Sequence, residues 1–86
     1  MAHRIAMISI IVENPDSVAQ MNAILHKYQD CVIGRMGIPY RKADVNLISV
    51  AVEAEPDEIN AMTGSLGRLT GVSARTMYSN VNVPEK

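Results

Sequence analysis

The residues that could do chemistry in this chain are few, and they are scattered. Two histidines and one cysteine, His3, His26 and Cys31, make a thin inventory of imidazole and thiol metal ligands. His26 and Cys31 straddle the end of a helical stretch and the start of a strand-like one, and a transition-metal site needs three or four ligands held together. With His3 near the terminus as a poor third, no metal site within one chain and no cofactor are expected. Cys31 is also the one nucleophilic thiol, and no cationic neighbour in the sequence would lower its pKa. A buried, structural cysteine is the expectation. Arg35, Arg41 and Lys42 flank the stretch Gly34-Arg35-Met36-Gly37-Ile38-Pro39-Tyr40 and could hold an anion. The turns Glu13-Asn14-Pro15-Asp16 and Glu55-Pro56-Asp57 open helices, where free N–H groups receive carboxylate or phosphate, although Asp16 and Asp57 already fill part of that role.

These groups must be positioned by a very small fold. The chain has 86 residues, enough for one domain, expected over residues 1–80 with a flexible tail over 81–86. Domains of this size bury only ~60% of their unfolded surface and usually need support from disulfides, metal or other subunits. A single cysteine forms no internal disulfide and suits a reducing compartment, so a cytoplasmic protein supported by copies of itself is expected. The net charge of -1 gives no pull toward nucleic acid or anionic membrane, and neither is expected as a direct partner. Met1-Ala2-His3-Arg4 runs straight into a strand-like stretch with no secretory signal pattern, and no apolar run approaches the ~20 residues that span a bilayer.

The chain repeats itself once. Met7-Ile8-Ser9-Ile10 is echoed by Leu47-Ile48-Ser49-Val50, and Val12-Glu13 by Val52-Glu53 at the same spacing. After one inserted residue, Pro15-Asp16-x-Val18-x-x-Met21 is echoed by Pro56-Asp57-x-Ile59-x-x-Met62. Each copy reads as a strand, a turn and a helix opened by proline at its first position. The expected elements are strands over Arg4–Glu13, Cys31–Ile38 (ended by Pro39), Val45–Glu53 and Val72–Tyr78. Helices are expected from Pro15 to about Gln29 and from Pro56 to a stop at Gly71. The order β-α-β-β-α-β with right-handed crossovers predicts an α+β, ferredoxin-like fold: a four-stranded antiparallel sheet with two helices on one face.

Two helices cover only one side of such a sheet. Ile8, Ile10, Val12, Ile48, Val50 and Val52 are assigned to the helix side. Met7, Ser9, Ile11, Ile33, Leu47, Ser49 and Met77 are then expected on the open side as an oligomer interface, together with Ala51, Arg35, Ser73 and Arg75. A solvated face should be polar, and this one is largely apolar. In the second helix, Asn60, Gly64, Gly67 and Gly71 form one stripe. Interior glycines cost about 1 kcal/mol each relative to alanine, so the stripe reads either as close approach by a partner or ligand, or as a tolerated weak helix or one that ends near Gly64. An RNA-binding sheet would stack bases on aromatics, but Phe and Trp are absent and Tyr28, Tyr40 and Tyr78 do not fall in mid-sheet on the open side.

Three stretches, Gly34-Arg35-Met36-Gly37-Ile38-Pro39-Tyr40-Arg41, Asp57-Glu58-Ile59-Asn60-Ala61-Met62-Thr63-Gly64 and Leu66-Gly67-Arg68-Leu69-x-Gly71-Val72, resemble the small proteins described as regulators of iron-only hydrogenase systems. The resemblance runs from about Arg4 to Ser79. It implies a ferredoxin-like domain similar to ACT ligand-binding domains and to the C-terminal domain of nickel-responsive repressors, which assemble as dimers or tetramers and bind effectors between subunits. The repressor's nickel ligands have no counterpart here. The resemblance implies a non-enzymatic, ligand-responsive regulatory module acting as a homo-oligomer. A small-molecule effector is expected between subunits, near Glu13, Asn14, Asp16, Arg35, Gly37, Gly64 and Gly67. The alternatives are a protein-interaction module without a small-molecule ligand, and a small ferredoxin-like enzyme for which no acid–base pair is evident.

Overall fold

The computed structural model describes residues 3–81 and 83–84. Four strands, β1 (Arg4–Val12), β2 (Val32–Tyr40), β3 (Val45–Ala54) and β4 (Val72–Tyr78), form one sheet in the order β2-β3-β1-β4, with antiparallel neighbours throughout. Helix α1 (Val18–Lys27) joins β1 to β2, and α2 (Pro56–Gly67) joins β3 to β4. This is the α+β, ferredoxin-like arrangement that the repeat predicts. The two copies of the repeat pair with each other at the centre of the sheet. Ser9 lies opposite Ser49, flanked by Ile8↔Val50 and Ile10↔Ile48, so a pseudo-twofold axis passes between the two serines.

The core follows from strand alternation meeting helical periodicity. Ile8, Ile10 and Val12 of β1 and Ile48, Val50 and Val52 of β3 are buried against Met21 and Leu25 of α1 and Ile59, Met62 and Leu66 of α2. Burying a side chain of this size stabilises by roughly 1.5–3 kcal/mol. Around this core Ile24, Tyr28, Cys31 and Leu69 are partly buried.

Several boundaries differ from the sequence expectation, each for a local reason. The first helical segment opens with a 3-10 turn at Pro15–Ser17, where Asn14 Oδ1 accepts from the Asp16 N–H at 3.0 Å. Helix α1 ends at Lys27 rather than Gln29, because Gln29–Cys31 tightens into a second 3-10 turn that delivers the chain to β2. Helix α2 ends at Gly67, and bonds from Leu69 N to Leu66 O and from Val72 N to Leu69 O wind the chain down before Gly71 is reached. Strand β2 does not stop at Pro39 but runs through it to Tyr40. An edge strand leaves alternate backbone nitrogens unpaired, so proline removes no ladder bond there. Of the expected tail, residues 82, 85 and 86 lie outside the described residues, as do Met1 and Ala2; the Val81 N–H donates to Ser79 Oγ at 2.9 Å.

Two turns lock together at one end of the sheet. The Glu13 N–H donates to Gly71 O at 2.7 Å, and Ser17 Oγ, fully buried, donates to Thr70 O at 2.6 Å. Gly71 has φ +68°, and a Cβ placed on it would lie 2.7 Å from Asn14 Cβ and 3.0 Å from Asn14 N. Both the left-handed backbone and the contact require glycine. Gly67, at the end of α2, has nothing within 4 Å of its missing Cβ. Gly71→Ala should therefore lower unfolding stability by roughly 1–3 kcal/mol, whereas Gly67→Ala should leave it unchanged or raise it by up to ~1 kcal/mol. Urea unfolding of both variants checks the contrast; equal midpoints would show that the turn is not locked as described.

Candidate functional site

Two regions of the sheet are left uncovered. The first is the whole side opposite the helices. Met7 and Ile11 of β1, Leu47 of β3 and Met77 of β4 are exposed there, Met77 to 70%. The pairing sorts this side into rows across the strands. Ile38, Leu47, Ile11 and Ser73 form one row, and Met36, Ser49, Ser9 and Arg75 the next. Gly34, Ala51, Met7 and Met77 form the third. Apolar rows thus flank a central serine pair; Arg75 at the β4 edge and Glu53, opposite Ile5, bring charge to this side.

Strand β2 departs from simple alternation. Val32 pairs with Val52 and Gly34 with Ala51, so one residue, Ile33, is extra. Such a bulge shifts the facing of everything beyond it. Arg35 and Gly37 accordingly lie opposite Val50 and Ile48 on the helix side, which corrects the expected placement of Arg35 on the open side. Met36 and Ile38 turn to the open side instead, with exposures of 63% and 53%, and Tyr40 joins them at the strand end. Ile33 is exposed at the bulge itself. Met36, Ile38 and Tyr40 were missed by alternation counting. The signal that could have found them is Gly34, because an isolated glycine within a strand pattern often marks a bulge.

The second uncovered region is a groove between α1 and β2. It has a volume of about 210 Å³ and is lined by Val18, Met21 and Asn22 of α1, Arg35, Gly37, Ile38 and Pro39 of β2, and Asn46 and Ile48 of β3. Arg35 reaches across it to donate from Nη2 to Asn22 Oδ1 at 3.2 Å. A smaller notch of about 70 Å³ continues from Pro39 and Asn46 to Val12, Pro15, Tyr40, Arg41 and Asp44.

The residues expected around an effector are therefore only partly brought together. Arg35 and Gly37 share the groove. The turn of Glu13, Asn14 and Asp16 borders the notch through Pro15, but its backbone groups are committed to the lock with Gly71 and to its own cap. Gly64 and Gly67 are elsewhere. Helix α2 is fastened to β4, with Tyr78 OH donating to Asn60 Oδ1 at 2.7 Å and Thr63 bonded to Thr76, and β4 is the sheet edge opposite β2. Within one chain Arg35 and Gly64/Gly67 lie on opposite halves of the sheet, because the two helices divide its covered side between them, so the expected effector site would join them only between subunits. Among the described residues no group of three or more His, Cys, Asp and Glu is placed to hold a metal ion, and no helix is long and apolar enough to cross a membrane.

Residues 4–76 match a family model, TM1266-like, described as "Iron-only hydrogenase system regulator, putative". The structure is similar to that of the uncharacterized protein TM1266 from Thermotoga maritima, with a TM-score of 0.85 and 27% identity over 88% of this chain and 96% of that one. The C-terminal domain of the MgtC protein from Mycobacterium tuberculosis shares the fold at 12% identity, with a TM-score of 0.72 over 98% of this chain and 96% of that one. A formyltetrahydrofolate deformylase from Pseudomonas putida KT2440 contains the same fold within 29% of its length, at a TM-score of 0.64, 12% identity and 90% coverage of this chain. No curated protein matches the chain in sequence.

Cys31, the single thiol of the chain, is half-buried rather than fully buried, in the turn before β2. Desolvation raises its pKa, and a hydrogen bond and the charge of Glu58 raise it further, with Asp30 adding to the effect. A raised thiol pKa means less thiolate at neutral pH and a weak nucleophile. Iodoacetamide should therefore alkylate Cys31 more slowly at pH 8 than it does free cysteine, and Glu58→Gln should speed the reaction. A rate at or above that of free cysteine would contradict this placement.

Proposed function

This chain belongs to the TM1266-like family, whose description is a regulator of iron-only hydrogenase systems, and from that premise we propose that it is a cytoplasmic, non-enzymatic, ligand-responsive module working as a homo-oligomer. The observation that carries the reading is the uncovered apolar side of the sheet. Met7, Ile11, Leu47, Met36, Ile38 and Met77 leave between 37% and 70% of their surface exposed on one continuous face. Full burial of such a side chain is worth roughly 1.5–3 kcal/mol, and about half remains to be gained at each position. Two copies contribute twelve such side chains, a gross gain comparable to the ~4–15 kcal/mol that association costs. A second copy supplies a matching apolar face without requiring any other protein.

A regulator must also respond to something. The groove beside α1 opens on the helix side, so covering the opposite side of the sheet leaves it accessible. A ligand seated there would bridge α1 and β2, and β2 carries Met36 and Ile38 on its other side. Occupancy of the groove would thereby bear on how the sheet faces meet. No catalytic pair accompanies the groove. Its lining holds one charged side chain, Arg35, and two amides, Asn22 and Asn46, which bind and orient more readily than they transfer protons.

Two outcomes test this. Leu47→Glu or Met7→Glu places a charge in the middle of the apolar rows and should reduce the native mass to that of the monomer in sedimentation; retention of the wild-type mass by both would remove the open face as the contact. In a thermal-shift panel of amino acids, carboxylates, nucleotides and metal ions, at least one class should raise the melting temperature by mass action. A flat response across the panel would favour a protein-interaction module without a small-molecule ligand.

A further inference from the structure

Resting on the ligand-responsive reading above, we infer that the α1–β2 groove binds a monocarboxylate with a short apolar chain, held by Arg35. Arg35 is the one charged side chain that lines the groove. It has no carboxylate partner: among the described residues the one ion pair is His3 with Glu53, at 3.4 Å. Its contact with Asn22 uses one guanidinium N–H and fixes the group over the groove, leaving further donors of the planar fork for a carboxylate. The floor is apolar, made of Met21 and Ile48, both buried, with Val18 beside them.

The sheet register sets the length of the groove. Arg35, Gly37 and Pro39 lie opposite Val50, Ile48 and Asn46 in turn. Arg35 and Asn46 therefore stand at the two ends of the groove, about 13 Å apart at ~3.3 Å per residue. A volume of about 210 Å³ has room for on the order of seven water-sized groups at ~30 Å³ each. The volume sets the size of the ligand: a straight or branched acid of about six carbons, shorter than the groove, places its carboxylate at Arg35 and its chain over Ile48 and Met21. Asn46 closes the far end of the groove, beyond the end of such a chain. No acidic residue lines the groove, so the ammonium of a free amino acid would lie beside the Arg35 guanidinium with no counter-charge. Gly37 keeps the middle of the groove open. A Cβ there would meet Ile48 Cγ1 at 3.7 Å, an ordinary contact, so a larger side chain would fill the groove rather than break the strand.

The test is calorimetric and NMR titration of the full chain with hexanoate and 4-methylpentanoate, beside hexanol and leucine. The acids should bind at least tenfold more tightly than hexanol or leucine. Arg35→Met should weaken the acids at least tenfold and leave hexanol unchanged. Gly37→Val should abolish binding while the native mass stays that of the wild type and the unfolding midpoint does not fall. Equal binding of hexanol and hexanoate, or undiminished binding by Arg35→Met, overturns the inference. If neither acid binds while another member of the thermal-shift panel stabilises the protein, the carboxylate assignment fails and the ligand-responsive reading stands; if nothing binds, both fall.

Discussion

A four-stranded sheet has two faces, and the two helices that this chain can afford cover only one. Ile8, Ile10 and Val12 of β1 with Ile48, Val50 and Val52 of β3 absorb both helices. The same strands still place Met7, Ile11 and Leu47 on the other side. At this chain length the buried core is small, and ~60% burial leaves stability marginal. The apolar open face is thus a deficit of the isolated chain, and in the proposed oligomer a second copy would cover it. The proposed oligomer follows from this imbalance, and the helix-side groove lies on the other face, away from it.

Within the covered side, the helices divide the sheet between them. Helix α2 is fastened to the β4 edge by Tyr78–Asn60 and Thr63–Thr76. Helix α1 lies toward β3 and β2 but does not reach over β2 fully, and the groove is the space that remains. At the opposite end the β1–α1 turn and the turn before β4 are locked by Gly71 against Asn14 and by Ser17 on Thr70. The Glu13–Ser17 turn is therefore spent on holding the two halves of the repeat together, and its backbone is not free for an anion. The bulge at Ile33 completes the division. It sends Arg35 and Gly37 to the groove and Met36 and Ile38 to the open face, so one edge strand serves both uncovered regions.

Much of this was legible in the residues themselves. The repeat, the proline at the start of each helix and the alternation in β1 and β3 fix the element order, the antiparallel sheet and the core, because period and capping are local properties of a chain. Membership of the family was likewise readable from the glycine- and arginine-containing stretches. The members of the open face on β1, β3 and β4 follow from parity alone. Parity failed on β2, where an extra residue hides inside an apparently regular strand. The pairing of Val32 with Val52 and of Gly34 with Ala51 is a relation between two strands.

What the sequence determined by itself is therefore the periodic part: which stretches are strands and helices, which residues form the core, and that one sheet face is left apolar. What only the tertiary structure decided is everything that depends on register and on the lateral placement of helices. It moved Arg35 from the open face to the groove, joined it to Asn22, Met21 and Asn46 across three elements, and separated it from Gly64 and Gly67 by placing α2 over the far edge. The physical reason is that periodicity assigns a side to each residue within its own element, whereas a site is made by contacts between elements. Those contacts shift by a whole face when one residue is inserted.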